Sequence, residues 1–192
     1  MSPAQFFVKY SAPLLALAIL VGVSVFLDRS NPKNHIIKRL GEDYFSTDKT
    51  WLYEPQKLFD MLDKYDEADG HRGEYRQAHA RFIYLDLIYP MIYAITGTIM
   101  LMSLLSALQA APHTWLRYLA FLPVLIAVFD YLENLSLLWI LRNYTAGSPP
   151  FGMARFSSAM TTSKLFLMYA TAALFVVALV ALVFKWLRPA GR

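Results

Sequence analysis

The chain contains no cysteine. That absence removes disulfides, thiolate metal sites, iron–sulfur clusters and thiol nucleophiles together. Histidine is nearly as scarce, with four among 192 residues. None of the four falls inside an apolar run, so a haem held between membrane helices would lack its axial ligands. The basic residues are spread along the chain and the formal charge is only +4, which provides no concentrated basic face for nucleic acid. Internal repeats are missing, and with them the symmetry of an inverted-repeat carrier.

What is abundant is apolar surface: 57% of residues are hydrophobic and 15% aromatic, more than one soluble core of this length can bury. The expectation is an all-α membrane protein of one domain over residues 1–192. It is read as a four-helix transmembrane bundle with spans at about 6–27, 82–108, 118–141 and 157–187. A cleavable signal peptide would need a small-x-small site after the first apolar run, but Phe26-Leu27-Asp28-Arg29 stands there, so that helix is read as retained. Pro90 and Pro123 mark expected kinks. The turn at 110–114 is too short for anything but antiparallel neighbours. The last helix starts near Met153 and closes on Lys185, Trp186 and Arg188.

Between the first two spans, residues 29–80 hold ten of the fourteen acids and nine Lys or Arg. This segment is expected to form a small, partly helical cap outside the membrane. Its best helix opens at Glu54-Pro55, places Leu58, Met61, Leu62 and Tyr65 on one face, and ends before Gly70; a second pattern resumes at Glu74. Trp51, Tyr53 and Tyr65 suit the level of a membrane interface. Basic residues near the helix ends give a small bias toward both termini inside and the cap outside, in a bacterial inner membrane.

The conspicuous stretch is Phe129-Asp130-Tyr131-Leu132-Glu133-Asn134, because two carboxylates and an amide sit inside an otherwise apolar span. A charge at the centre of a membrane helix costs about 2.5–3.5 kcal/mol on insertion scales, so such residues pair, face a bundle interior or serve a site. Positions 130, 133 and 134 share one helical face. At 1.5 Å per residue, Asp86 lies about 8 Å below Arg81, and Glu133 and Lys164 each lie about 14 Å below Arg142 and Arg155. All three belong to one layer near the large loop. Lys164 has the reach to pair with Asp130, Glu133 or Asp86, and Asn134, Thr161, Thr162, Tyr84, Tyr89 and Tyr93 are at hand as further hydrogen-bonding groups.

Other constellations carry less. His71, Glu74 and His79 are spaced by three and five, poor for one metal face, and read as surface residues. His35 and His113 stand alone. A lysine facing an acid in the last helix also suits a retinal protein, but four spans cannot enclose retinal as seven do. Ser157 to Ser163 has no histidine partner in the spans for nucleophilic chemistry. No cofactor and no metal are implied.

Gly73, Tyr75 and Arg76, then Asp86-Leu-x-x-Pro90-x-x-Tyr93, Leu122-Pro123 with Asp130-x-x-Glu133-Asn134, and Ala154 to Thr162-x-Lys164 form a sparse pattern. It resembles small, mostly bacterial four-helix membrane proteins of unassigned function, over Glu54 to about Leu187. The resemblance implies the fold and no reaction.

Four readings of the layer remain open. It binds a lipid head group or small amphiphile, with Asp86, Asp130, Glu133, Asn134, Lys164, Thr161, Tyr89 and Tyr93 as its residues, in a protein that serves as an accessory subunit. It is the site of an enzyme acting on a lipid or isoprenoid, with Asp130 or Glu133 as acid and base and Lys164 as electrostatic stabiliser. It belongs to a proton- or ion-coupled carrier, which at this size would be an oligomer. Or it is interhelical glue that fixes register. The expected partners are membrane lipid and either a second copy or another membrane protein, with no nucleic acid.

Overall fold

The computed structural model describes residues 3–31, 34–41, 47–108 and 114–187. The turn read at 110–114 with His113, the terminal Arg188, and the side chain of His35 lie outside the described residues. The described residues are helical and contain no strand. In chain order the helices are α1 (Pro3–Arg29), α2 (Asn34–Leu40), α3 (Pro55–Ala68), α4 (Glu74–Asp86), α5 (Ile88–Ala107), α6 (Leu122–Asn143) and α7 (Phe151–Leu187). Three stretches are long and apolar enough to cross a membrane: Glu74–Ala107, Leu116–Asn143 and Phe151–Leu187.

α4 and α5 form one helical rod interrupted at Leu87, whose backbone stays right-handed at φ −57° and ψ −20°. Pro90 has no N–H for the carbonyl of Asp86, so one rung is lost. Tyr131 donates its hydroxyl to the neighbouring Leu87 carbonyl at 3.0 Å and ties α6 to that break. Pro123 departs from the expectation of a kink. The helix α6 begins only at Leu122, after a 3₁₀ segment over Thr114–Phe121, and Pro123 sits in its first turn. A missing N–H is harmless there, since the first turn has no partner for it.

α6 and α7 are antiparallel, and α5 lies against α6. α5 and α6 pack tightly at Gly97, where an added Cβ would stand 2.9 Å from Pro123 Cγ. α1 meets α5 through Ser24 Oγ and the Tyr89 hydroxyl, 3.0 Å apart. At the far end of the bundle Leu101, Leu105 and Ala120 are buried together, with Leu174 and Phe175 against them.

The opposite end is closed by the segment around α3. Leu58, Met61, Leu62 and Tyr65 are all at most 1% exposed, packed in one cluster with Ile140, Leu141, Tyr144 and Ala154 from the ends of α6 and α7. The apolar stripe of α3 therefore covers the mouth of the helices. Phe59 stacks on Tyr144 with ring centroids 5.3 Å apart. Tyr53 and Tyr65 are buried in protein, whereas Trp51 is exposed; the expected interfacial trio reduces to one residue because α3 turns its tyrosine onto the bundle. The α3–α4 turn needs left-handed backbone at Gly70 and Gly73, and Asp69 stabilises it by accepting from the N–H groups of Arg72 and Tyr75, both at 3.1 Å. Arg76 then pairs with Asp66 and donates to the Tyr144 carbonyl at 2.9 Å, latching α3, α4 and α6.

α7 spans 37 residues, about 55 Å at 1.5 Å per residue. It is long enough to cross a bilayer and still receive the α3 segment. Ser158 Oγ donates to the Tyr53 carbonyl at 3.0 Å, and Leu52 N donates to Thr162 Oγ1 at 3.0 Å.

The contact at Gly97 leads to a prediction. Gly97→Ala pushes a methyl group into the Pro123 ring and should cost about 1–3 kcal/mol, read as a lower unfolding midpoint in detergent. Gly22→Ala, with nothing within 4 Å of the new carbon, should cost nothing; equal effects would show that α5 and α6 do not pack this closely.

Candidate functional site

Asp130, Glu133 and Asn134 are all buried on the face of α6 that meets α5 and α7. Lys164 projects from α7 into the same place. Its Nζ donates to Asp130 Oδ1 at 3.1 Å and lies 2.5 Å from Glu133 Oε2. Glu133 is fully buried at 0% exposure and Lys164 is 7% exposed, so one ammonium answers two carboxylates in the interior of the helices. Tyr93 from α5 completes Asp130 by donating to Oδ2 at 2.9 Å. Beside it, Asn134 Nδ2 donates to Asp86 Oδ2 at 3.1 Å, a bond between α6 and the end of α4. Six of the expected residues thus interlock in one layer.

The others take supporting places. Thr161 is buried against Glu133 and donates to the carbonyl of Ser157 at 3.1 Å. Tyr89 turns to Ser24 on α1, and Thr162 to the backbone of Leu52. Tyr84 is not in the layer: it is exposed on the other side of α4, where Arg142 donates to its hydroxyl. Five residues before Tyr89, it stands well round the helix from Tyr89 and Tyr93.

Above this floor opens a cavity of about 640 Å³. Asp86, Asp130, Asn134 and Lys164 line its base together with Tyr89 and Tyr93, and Leu20, Ile126, Leu137, Leu165 and Met168 form its walls. The volume falls within the ~300–1,000 Å³ typical of small-molecule sites, and mostly apolar walls with a few convergent polar groups are their usual lining. Two acids, Asp86 and Asp130, and two lysines, Lys49 and Lys164, line the cavity, with Glu133 behind Lys164. Charges of both signs favour a hydrogen-bonding or zwitterionic group next to an apolar body.

His79 also lines this cavity and is 3% exposed, contrary to its expected place at the surface. Its Nδ1 is hydrogen-bonded to the Tyr65 hydroxyl at 3.2 Å. The signal was in the spacing, since His79, Asp86 and Tyr93 succeed one another every seven residues along one face of the α4–α5 rod. His71 is exposed as expected. Tyr53 belongs to the roof: its hydroxyl lies against Ser157, and burial pushes the phenol up to about 12, so it stays neutral at any physiological pH. Among the described residues no three His, Asp or Glu side chains converge as a metal ion would require.

No family model, curated protein or solved structure matches this chain.

The ion-paired layer generates the second prediction. Lys164→Met strands two buried carboxylates and should destabilise the fold by about 3–5 kcal/mol, the cost of breaking a buried pair from one side. Adding Asp130→Asn and Glu133→Gln removes the stranded charges and should restore most of that loss in a thermal unfolding assay. A triple variant no more stable than Lys164→Met alone would refute the pairing.

Proposed function

We propose that this chain is a multi-pass protein of a bacterial inner membrane that binds a lipid head group or small amphiphile in the cavity between its helices. In this reading α1 is a fourth span, completing a four-helix bundle. The segment over residues 29–80 is its outer cap, and both termini lie inside. The likeness to small four-helix bacterial membrane proteins is part of the proposal. The observation that carries it is the combination of a charged, hydrogen-bonded floor with apolar walls in one cavity of about 640 Å³. An amphiphile matches that division: its polar end meets Asp86, Asp130 and Asn134, and its apolar body lies along Leu20, Leu165 and Met168.

The buried apolar cluster of Leu101, Leu105 and Ala120 lies beyond the layer and supports a blind pocket over a carrier's polar path. An enzyme acting on a lipid or isoprenoid is the second reading, favoured by the adjacency of Asp130 and Glu133 to Lys164, two carboxyls beside a base from which one proton could be exchanged. Either activity is compatible with an accessory subunit or a homo-oligomer.

Native mass spectrometry of the detergent-purified protein tests the reading. The wild type should retain a small amphiphile. Met168→Trp, which fills the cavity from a half-exposed wall position without touching the ion pairs, should lose it, and so should Asp130→Asn/Glu133→Gln. Retention of nothing by the wild type, with Asp130→Asn/Glu133→Gln destabilised, would leave the layer as register-fixing glue.

A further inference from the structure

The face of the α4–α5 rod opposite the cavity carries two more concavities, both in its seam with α6. The upper one, about 410 Å³, is lined by Arg76, Arg81, Tyr84 and Arg142. The lower one, about 590 Å³, is almost wholly apolar and lies between Met91, Ile95, Ile99, Val124 and Val128. They are in register. Tyr84, Met91 and Thr98 follow at seven-residue intervals on one rod, and Val124, Tyr131 and Arg142 at seven and eleven on the other, so both hollows occupy one face of each helix. Between them stand Ile88 and Leu135, 56% and 55% exposed, which keep the path apolar.

The charges of the upper hollow are not all spent within the protein. Arg76 is committed to Asp66 and the Tyr144 carbonyl. Arg81 and Arg142 meet no carboxylate among the described residues, and Arg142 gives only one of its five donors to Tyr84. Both stand where the polar start of α4 and the polar end of α6 give way to apolar sequence. From Arg142 to Val128 is about 21 Å at 1.5 Å per residue, and one leaflet with its head groups is about 20–22 Å deep.

We propose that this seam is a binding site for one anionic phospholipid, with its phosphate between Arg81 and Arg142 and an acyl chain in the groove between Met91, Ile95 and Val128. Two guanidinium groups above an apolar channel of leaflet length match the phosphate and chain of one molecule, and a free phosphate would use only the upper half. The proposal rests on the reading that these helices cross a bilayer, and is independent of what the cavity binds.

The test is native mass spectrometry of the full chain released from phosphatidylcholine nanodiscs doped with phosphatidylglycerol. The wild type should retain phosphatidylglycerol over phosphatidylcholine by about tenfold or more, as two arginines at the surface potential allow. Arg81→Gln/Arg142→Gln should abolish that preference. Val128→Trp, a change at a half-exposed position that fills the groove, should lower retention of either lipid with the arginines intact. Equal retention of the two lipids by the wild type would overturn the site, as would an unchanged preference in the arginine variant. Displacement of the lipid by excess inorganic phosphate would overturn the lipid assignment in favour of a simple anion site. Failure of the wild type to enter any nanodisc would overturn this inference and the membrane reading together, whereas loss of the cavity ligand alone would leave it standing.

Discussion

One lysine holds two carboxylates in the interior of the helices, Glu133 fully buried and Asp130 at the edge of a cavity. A buried ion pair of this kind is rarely a net source of stability, because the desolvation of both partners offsets most of their attraction. What it supplies is position. Lys164 meets Asp130 and Glu133 only when α7 lies at one height against α6, since a slip of a single turn, about 5.4 Å, would leave three charges without partners. Helices in lipid gain little from sliding into any particular apolar register. The layer selects one, and the places of α5 and of the α3 segment follow from it: Tyr93 reaches Asp130 from α5, and Thr162 and Ser158, two and six residues before Lys164, meet Leu52 and Tyr53.

The same arrangement divides the molecule into a wet end and a dry end. On one side of the layer the helices close on Leu101, Leu105 and Ala120. On the other they stand apart around the cavity, to whose lining Thr47 and Lys49 also contribute, and α3 closes the ends of α6 and α7 with a stripe that would otherwise be open to solvent. That closure is held by polar contacts at its rim, Arg76 to Asp66 and Tyr144, and Tyr144 to Asp63 at 2.6 Å, and by apolar packing at its centre. Charges therefore occur both in the cavity lining and at the rim of the α3 closure. Low local polarity strengthens each contact in its floor and makes each loss of a partner costly. A ligand entering there would replace water at Asp86 and Asn134 more readily than it would break the Lys164 pair.

Much of this was legible from residue type and spacing. The helices are written in apolar runs and in the i, i+3, i+4 stripe of α3. The layer is written in four ionisable residues that no apolar helix tolerates without a partner. Lys164 as the counter-ion follows from depth alone, because Asp130, Glu133 and Lys164 lie at similar distances from the same end. Depth does not give azimuth, and the misreadings of Tyr84 and His79 share that cause. Tyr84 stands near the layer in height and faces away from it. His79 looks like a loop-side residue in the sequence, yet it shares a face with Asp86 and Tyr93. Pro123 looks like a kink until the 3₁₀ segment before it moves the start of α6 to Leu122. The two seam hollows are legible only in three dimensions, since they depend on which faces of α4–α5 and α6 remain uncovered once the layer has fixed their rotation.

The central claim is that the ion-paired layer is the floor of a cavity open to water, with a dry core beneath. The absence of native cysteine makes a single introduced thiol an unambiguous probe. The most direct measurement compares Leu137→Cys, in the cavity wall, with Leu101→Cys, in the dry cluster, in sealed proteoliposomes treated with a cationic, membrane-impermeant thiol reagent on the α3 side. The account predicts rapid labelling at position 137 and none at 101. Labelling of both positions, or of neither, would contradict it.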